Sequence, residues 1–399
     1  MTDHVTRLLS QDELRTANTL FRGTLHVAPA TDEEWARSTE SYQPDRTLGV
    51  FDTELIGTAR SFDSDLTVPG GARVPLSAVT GVGVRADRTR RGVLTELMRT
   101  QLEGFADRGV VAANLYASEG LIYGRFGYGV ATLWRRCVVD RRRAVVRAGA
   151  PSGGEVELLD LETAKTRLPE IHDGLDDDRP GAMRRSEYWW PGLYRQLNRA
   201  EAPVKTVLHH GADGIDGYVV YHTSRPNPAD PAVLRVEEFH ARTPDAYARM
   251  WRFLLSVDLI DTIEVSEMAL DDPLELLFTD PRAVKVTGVE DETWLRLVDV
   301  PAALAARERG DAEVVLEVAD PILPRNSGRY LVSKDAVTRT DAPAQLSMGV
   351  DVLAMIYLGT WRPSALASVG RIDVADSGVA ERADLLFGTR VAAWCGTFF

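Results

Sequence analysis

Two cysteines, Cys137 and Cys395, are all that a chain of 399 residues contains. Two thiols make no disulfide framework, so the fold must be held by its core. Lysine is almost as scarce: Lys165, Lys205, Lys285 and Lys334 are the only ones among 46 basic side chains, and the rest are arginine. No uninterrupted apolar run reaches transmembrane length, and the Met1 to Ser10 stretch lacks the apolar core of a signal peptide. These absences predict a reduced protein of the cytoplasm with no membrane partner. The formal charge of −13 argues against a general nucleic-acid binder, which the phosphate backbone would repel. The same charge suits a cationic substrate. HExxH, G-x-S-x-G and C-x-x-C patterns are all missing. His209, His210, His222 and His240 fall in strand-like stretches. Adjacent His209 and His210 would point to opposite faces of a strand, so no metal site is expected there. Asp176-Asp177-Asp178 reads as a solvated loop.

What is present is a length suited to two or three domains and an apolar content of 44%, ordinary for a globular protein. The first part alternates helix and strand signals. A helix is predicted from Ser10 to about Arg22, with strands at 46–51, 55–62, 79–84, 110–116 and 130–139. Arg141 to Gly154 reads as a linker. A second unit repeats the grammar, with strands at 216–222 and 234–240 before a helix that Thr243-Pro244-Asp245 starts. It has no basic turn before that helix. From Trp294 onward, strands at 294–298, 313–318 and 329–332 and helices at 301–307 and 351–358 suggest a small α+β unit.

The most telling stretch is 79–95. Val79 to Val84 reads as a buried strand, Arg88-Thr89-Arg90-Arg91-Gly92 as a basic turn, and Leu94, Leu97, Met98, Leu102 and Phe105 as one face of a helix. A strand ending in an Arg/Gly turn that opens a helix presents backbone N–H groups and positive charge at one point. That is an anion site, and most simply a diphosphate site. Gly81-Val82-Gly83-Val84-Arg85-Ala86 matches the dinucleotide glycine fingerprint by letter only. In that fingerprint the helix begins within the glycine turn, whereas here it begins after Gly92. One strand later comes Ala117-Ser118-Glu119-Gly120-Leu121-Ile122-Tyr123-Gly124-Arg125-Phe126-Gly127-Tyr128-Gly129. Its glycines point to close backbone approach, and its tyrosine, with a pKa near that of a thiol, can give a proton to a departing thiolate.

In this order and spacing the two motifs resemble the GNAT N-acetyltransferases, and more closely their enhanced intracellular survival (Eis) branch. The resemblance implies a mixed α/β and α+β fold of three parts: a GNAT acetyltransferase domain over 1–145, a degenerate GNAT-like domain over 153–288, and a sterol-carrier-protein-like α+β domain over 290–399. It implies acetyl-CoA as co-substrate, no metal, and transfer of acetyl to amines of polycationic small molecules such as aminoglycosides. Acetylation of protein lysines or N-termini, or a non-catalytic lipid-binding scaffold, are the alternatives. On the resemblance, Val82, Gly83 and Val84 pair with the pantetheine arm and polarise the thioester carbonyl. Arg90, Arg91, Gly92, Val93, Leu94 and Thr95 hold the diphosphate, Ser118 and Glu119 flank the coenzyme, and Tyr123 is the general acid. The general base is the C-terminal carboxylate of Phe399, and the cleft is lined by Trp35 and Tyr116. The sequence departs from the family pattern at Thr89, where Gln or Arg is usual, at Leu94, where Gly or Ala is usual, and at Tyr116, where the branch often has His. A hexamer built from trimers is implied as well.

Overall fold

Long β-branched and apolar runs specify the sheets. In the computed structural model, which describes residues 4–175, 178–200, 202–225, 227 and 230–399, the run predicted at 79–84 starts earlier and forms the strand Arg73–Val84. Asp176 and Asp177 of the expected acidic loop lie outside the described residues. The chain divides into two units, one of Met1–Thr132, Asp178–Gly192 and Asp291–Phe399, the other of Leu133–Asp177 and Leu193–Glu290.

The first unit holds two sheets. Its seven-stranded sheet runs Val5–Leu8, Thr47–Phe51, Leu55–Thr67, Arg73–Val84, Ala112–Leu115, Trp294–Leu297, Gly129–Val130 in spatial order. Arg73–Val84 and Ala112–Leu115 are parallel neighbours joined by the helix Val93–Asp107. That helix buries Val93, Leu97, Met98, Gln101, Leu102 and Phe105, a stripe of the 3.6-residue period. Trp294–Leu297, expected in a separate C-terminal unit, is instead inserted here, antiparallel to both Ala112–Leu115 and Gly129–Val130. Arg296 on it is fully buried, and its Nη2 donates to both carboxyl oxygens of Asp320 at 2.7 Å. The five-stranded sheet of the same unit is built from the Glu313–Ala319 region onward.

The run predicted as one strand at 130–139 is two. Gly129–Val130 stays in the first sheet, and Leu133–Asp140 enters the seven-stranded sheet of the second unit. In that unit the crossover recurs: Val233–Ala241, the helix Pro244–Ser256, then Thr262–Ala269 parallel to the first strand. His209 and His210 lie on Lys205–Gly211, the former buried and bonded to Asp216, the latter half-exposed against Glu157.

Candidate active site

The parallel pairing of Arg73–Val84 with Ala112–Leu115 runs from Leu76↔Ala112 to Val79↔Leu115 and ends there. The longer strand continues to Val84, paired only on its other side with Leu55–Thr67. The two strands therefore part, leaving Thr80 to Val84 with one unpaired edge. A bulge deepens the split: Thr58↔Gly83 is followed by Arg60↔Thr80, so Gly81 and Val82 oppose Ala59 alone. Gly81 takes φ +62°, where glycine is at ease. Val82 and Val84 are half-buried on this edge. Backbone donors unpaired on one side suit an extended amide-bearing arm.

The turn beyond Val84 sorts its arginines. Arg85 is tied to Asp87 and Glu54 at 2.8 and 2.7 Å, and Arg88 to Asp52 and Asp87 at 3.0 and 2.6 Å. Thr89 donates its hydroxyl to the Ala86 carbonyl at 3.2 Å and closes the turn. Arg90 and Arg91 are exposed and form no ion pair among the described residues. Gly92, at φ +85°, is the helix cap and brings no side chain to satisfy the first N–H groups of Val93–Asp107. A methyl group at Gly92 would meet nothing within 4 Å. A helix start without a side-chain cap, open space at its Gly92 and two exposed arginines just before it make an arrangement that fits a diphosphate. In the second unit the matching helix is closed: Thr243 Oγ1 accepts from Ala246 N at 3.1 Å, and its hydroxyl donates to the Asp216 carboxylate at 2.6 Å. A self-capped terminus backed by an acid has no place for an anion.

After Ala112–Leu115, Ser118 and Glu119 lie in an exposed loop. Tyr123 follows and is buried, in one apolar cluster with Val79, Met98, Phe105 and Leu115 against which Val82 and Leu94 pack. Burial raises its phenol pKa, so the group holds a transferable proton. The motif's last glycines approach protein rather than ligand. A Cβ on Gly127 would strike Arg296 and Val350 at 2.7 Å, and one on Gly129 would lie 2.0 Å from the Asp351 carbonyl oxygen.

The chain end is held beside the split. Phe399 packs edge-on against Tyr116 and Phe62, with ring centroids 5.2 and 5.5 Å away. Tyr116 directly follows Leu115, and Phe62 is in register with Ala78, so the last residue sits level with the final paired positions of the two strands. Tyr116 also packs edge-on against Phe398 and donates its hydroxyl to the Thr397 carbonyl at 3.1 Å. It thus holds the tail. Trp35 is half-buried on the helix Asp32–Thr39, against Tyr42 and the cluster of Leu9, Leu14, Ala17 and Leu55. Sequence reasoning missed Glu292, Arg185 and Trp189, which grip the tail. They belong to no motif, and only their burial marks them. Among the described residues no group of His, Cys, Asp and Glu is placed to hold a metal ion.

Residues 5–131 and 181–297 match acetyltransferase (GNAT) domain families, and residues 300–396 match the sterol carrier protein domain. Fold and site together define a GNAT N-acetyltransferase with two such domains and a sterol-carrier-like third, and GNAT domains imply the use of acetyl-CoA. The chain is 37% identical to an uncharacterized N-acetyltransferase of Streptomyces griseus over 89% of each protein. It is 35% identical to the N-acetyltransferase Eis of Mycobacterium tuberculosis over 85% of this chain and 84% of that one. The crystal structure of Eis1 from Mycobacterium abscessus superposes with a TM-score of 0.91 at 38% identity, covering 99% of this chain and all of that one. The chain belongs to the Eis family of N-acetyltransferases.

Proposed function

We propose that this enzyme acetylates amines of polycationic small molecules, aminoglycosides among them, by direct attack of the amine on the thioester. Acetyl-CoA supplies the acetyl group in activated form. The backbone of Val82, Gly83 and Val84 would align the pantetheine arm and polarise the carbonyl, as donors aimed at a developing oxyanion do. Arg90 and Arg91, with the N–H groups of Gly92, Val93, Leu94 and Thr95, would hold the diphosphate, and Ser118 and Glu119 would flank the coenzyme. As the new C–N bond forms and the C–S bond breaks, Tyr123 gives its proton to the sulfur. The attacking nitrogen loses its proton to the Phe399 carboxylate, directly or through a water. No covalent enzyme intermediate is part of the reading.

One observation carries it: the terminal residue is seated between Tyr116 and Phe62 at the level where the two strands part. The charge of −13 favours a cationic acceptor. A thiol-release assay with acetyl-CoA and a panel of amines tests the substrate class, and turnover of peptides but not of free polyamines would overturn it. Deleting Phe399 should abolish turnover while coenzyme A binding stays within about twofold. An unchanged rate removes the carboxylate from the mechanism. The reading extends to a trimer-based hexamer, which the exposed apolar side chains of Val369 and Leu385 would serve. Light scattering should return six copies of the 43.9 kDa chain.

A further inference from the structure

The last residues of the chain have no regular structure, so every backbone group from Cys395 to Phe398 needs a partner from elsewhere. Side chains supply several of them. Glu292 accepts the N–H of Cys395 at 2.9 Å on one carboxyl oxygen and that of Gly396 at 2.8 Å on the other. Arg185 donates to the Gly396 carbonyl at 2.7 Å and to Thr397 Oγ1 at 3.1 Å. Trp189 Nε1 donates to the Phe398 carbonyl at 2.6 Å. Gly396 itself is kinked, at φ +61°, and a Cβ there would lie 2.5 Å from the Trp394 ring. The kink that aims the last three residues is thus held on its N–H by a carboxyl group and on its C=O by a guanidinium.

Both charged groups are out of solvent, Glu292 at 1% exposure and Arg185 at 3%. Arg185 is further fixed by the Trp189 ring, 4.0 Å from its central carbon, and by Trp190. Taking two ionisable side chains out of water is costly. A buried apolar pair could cover the tail equally well. What it could not do is set the rotation of the two peptide units that flank Gly396, because only directional bonds on both sides of that residue fix them. An error there swings the chain end about the kink, and a displacement of about 1 Å at a reacting group costs up to roughly a hundredfold in rate.

We propose that Glu292 and Arg185 are positioning residues that clamp the two peptide units flanking Gly396 and so place the C-terminal carboxylate for catalysis. The proposal rests on the reading of Phe399 as the general base. The clamp acts through the tail and touches neither substrate, so its loss should appear in kcat and in the accessibility of the chain end rather than in coenzyme affinity.

The test uses the full-length enzyme. Glu292→Gln keeps the shape but sets an NH2 group against one of the two N–H donors. Native protein is treated with carboxypeptidase A, and loss of Phe399 is followed by mass spectrometry beside steady-state kinetics and calorimetric titration with coenzyme A. The expected result is release of Phe399 at least tenfold faster than in the wild type, kcat lowered at least tenfold, and a coenzyme A Kd within twofold. Glu292→Asp should recover part of kcat. Arg185→Lys keeps the charge but loses the fork, and should move the same readouts in the same direction. It decides the matter if Glu292→Gln does not fold. Wild-type rates of Phe399 release and wild-type kcat in the folded variant overturn the clamp. So does a coenzyme A Kd weakened as much as kcat falls, which reports general damage. Failure of the base reading looks different: deletion of Phe399 then leaves turnover intact, whatever the clamp variants do to the tail.

Discussion

Tyr123 lies in a cluster that desolvates its phenol and keeps it protonated well beyond neutral pH. Tyr123→Phe removes only the oxygen and keeps the ring that packs on its neighbours. The expected outcome is a kcat lower by roughly a hundredfold, the usual worth of a general acid, with coenzyme A affinity unchanged in calorimetry. Glu292 behaves differently. Burial pushes its carboxyl up from 4.5 to about 7, against the opposing pull of the N–H groups of Cys395 and Gly396. A pKa raised on folding means that the native state binds the proton more tightly. Its stabilising contribution is complete below pH 4.5 and is lost as pH rises through 7. Wild-type stability relative to Glu292→Gln should therefore fall between those values, by about 3 kcal/mol at most, and level off above. Urea unfolding of both proteins across that range measures it, and parallel curves would refute the raised pKa.

At the scale of elements, the strand–turn–helix unit leaves its own parts incomplete. Arg85 and Arg88 are bound to carboxylates, whereas among the described residues Arg90, Arg91 and the cap at Gly92 are not. Arg91→Gln should weaken coenzyme A by roughly tenfold, with a smaller dependence on salt, while Arg85→Gln should change affinity little. Titration at two salt concentrations separates the two. The glycines after Tyr123 answer to packing. Gly129 lies against the backbone of Asp351, at the start of the helix Val350–Tyr357, and a backbone atom cannot step aside as a side-chain tip can. Gly129→Ala should cost on the order of 3 kcal/mol in chemical denaturation, and Gly92→Ala, which meets open space, only about 1 to 2 kcal/mol for its positive φ.

At the scale of the whole chain, sequence neighbours and structural partners differ. Trp294–Leu297 stands between Ala112–Leu115 and Gly129–Val130, so the first sheet is not complete within the first 145 residues. A fragment of residues 1–145 exposes an unpaired strand edge and lacks the buried Arg296–Asp320 pair. It should aggregate or elute as an expanded species in gel filtration, with little coenzyme A binding. A folded, binding fragment would show that the inserted strand is dispensable.

The amino-acid sequence by itself determined the local chemistry of this protein. Periodicity placed the crossover helix and its flanking strands, and the Arg/Gly turn raised the expectation of an anion site, because each of these is written in residues close along the chain. Tertiary structure decided the rest. Which arginines of the turn are free depends on Asp52 and Glu54, dozens of residues upstream. The glycines of the tyrosine motif meet a helix more than 200 residues away. The tail is fixed by Glu292 and Arg185, which no local pattern distinguishes from surface charges. Hydrogen bonds and desolvation act between groups that only folding brings within a few ångströms of one another, and no spacing along the chain encodes that distance.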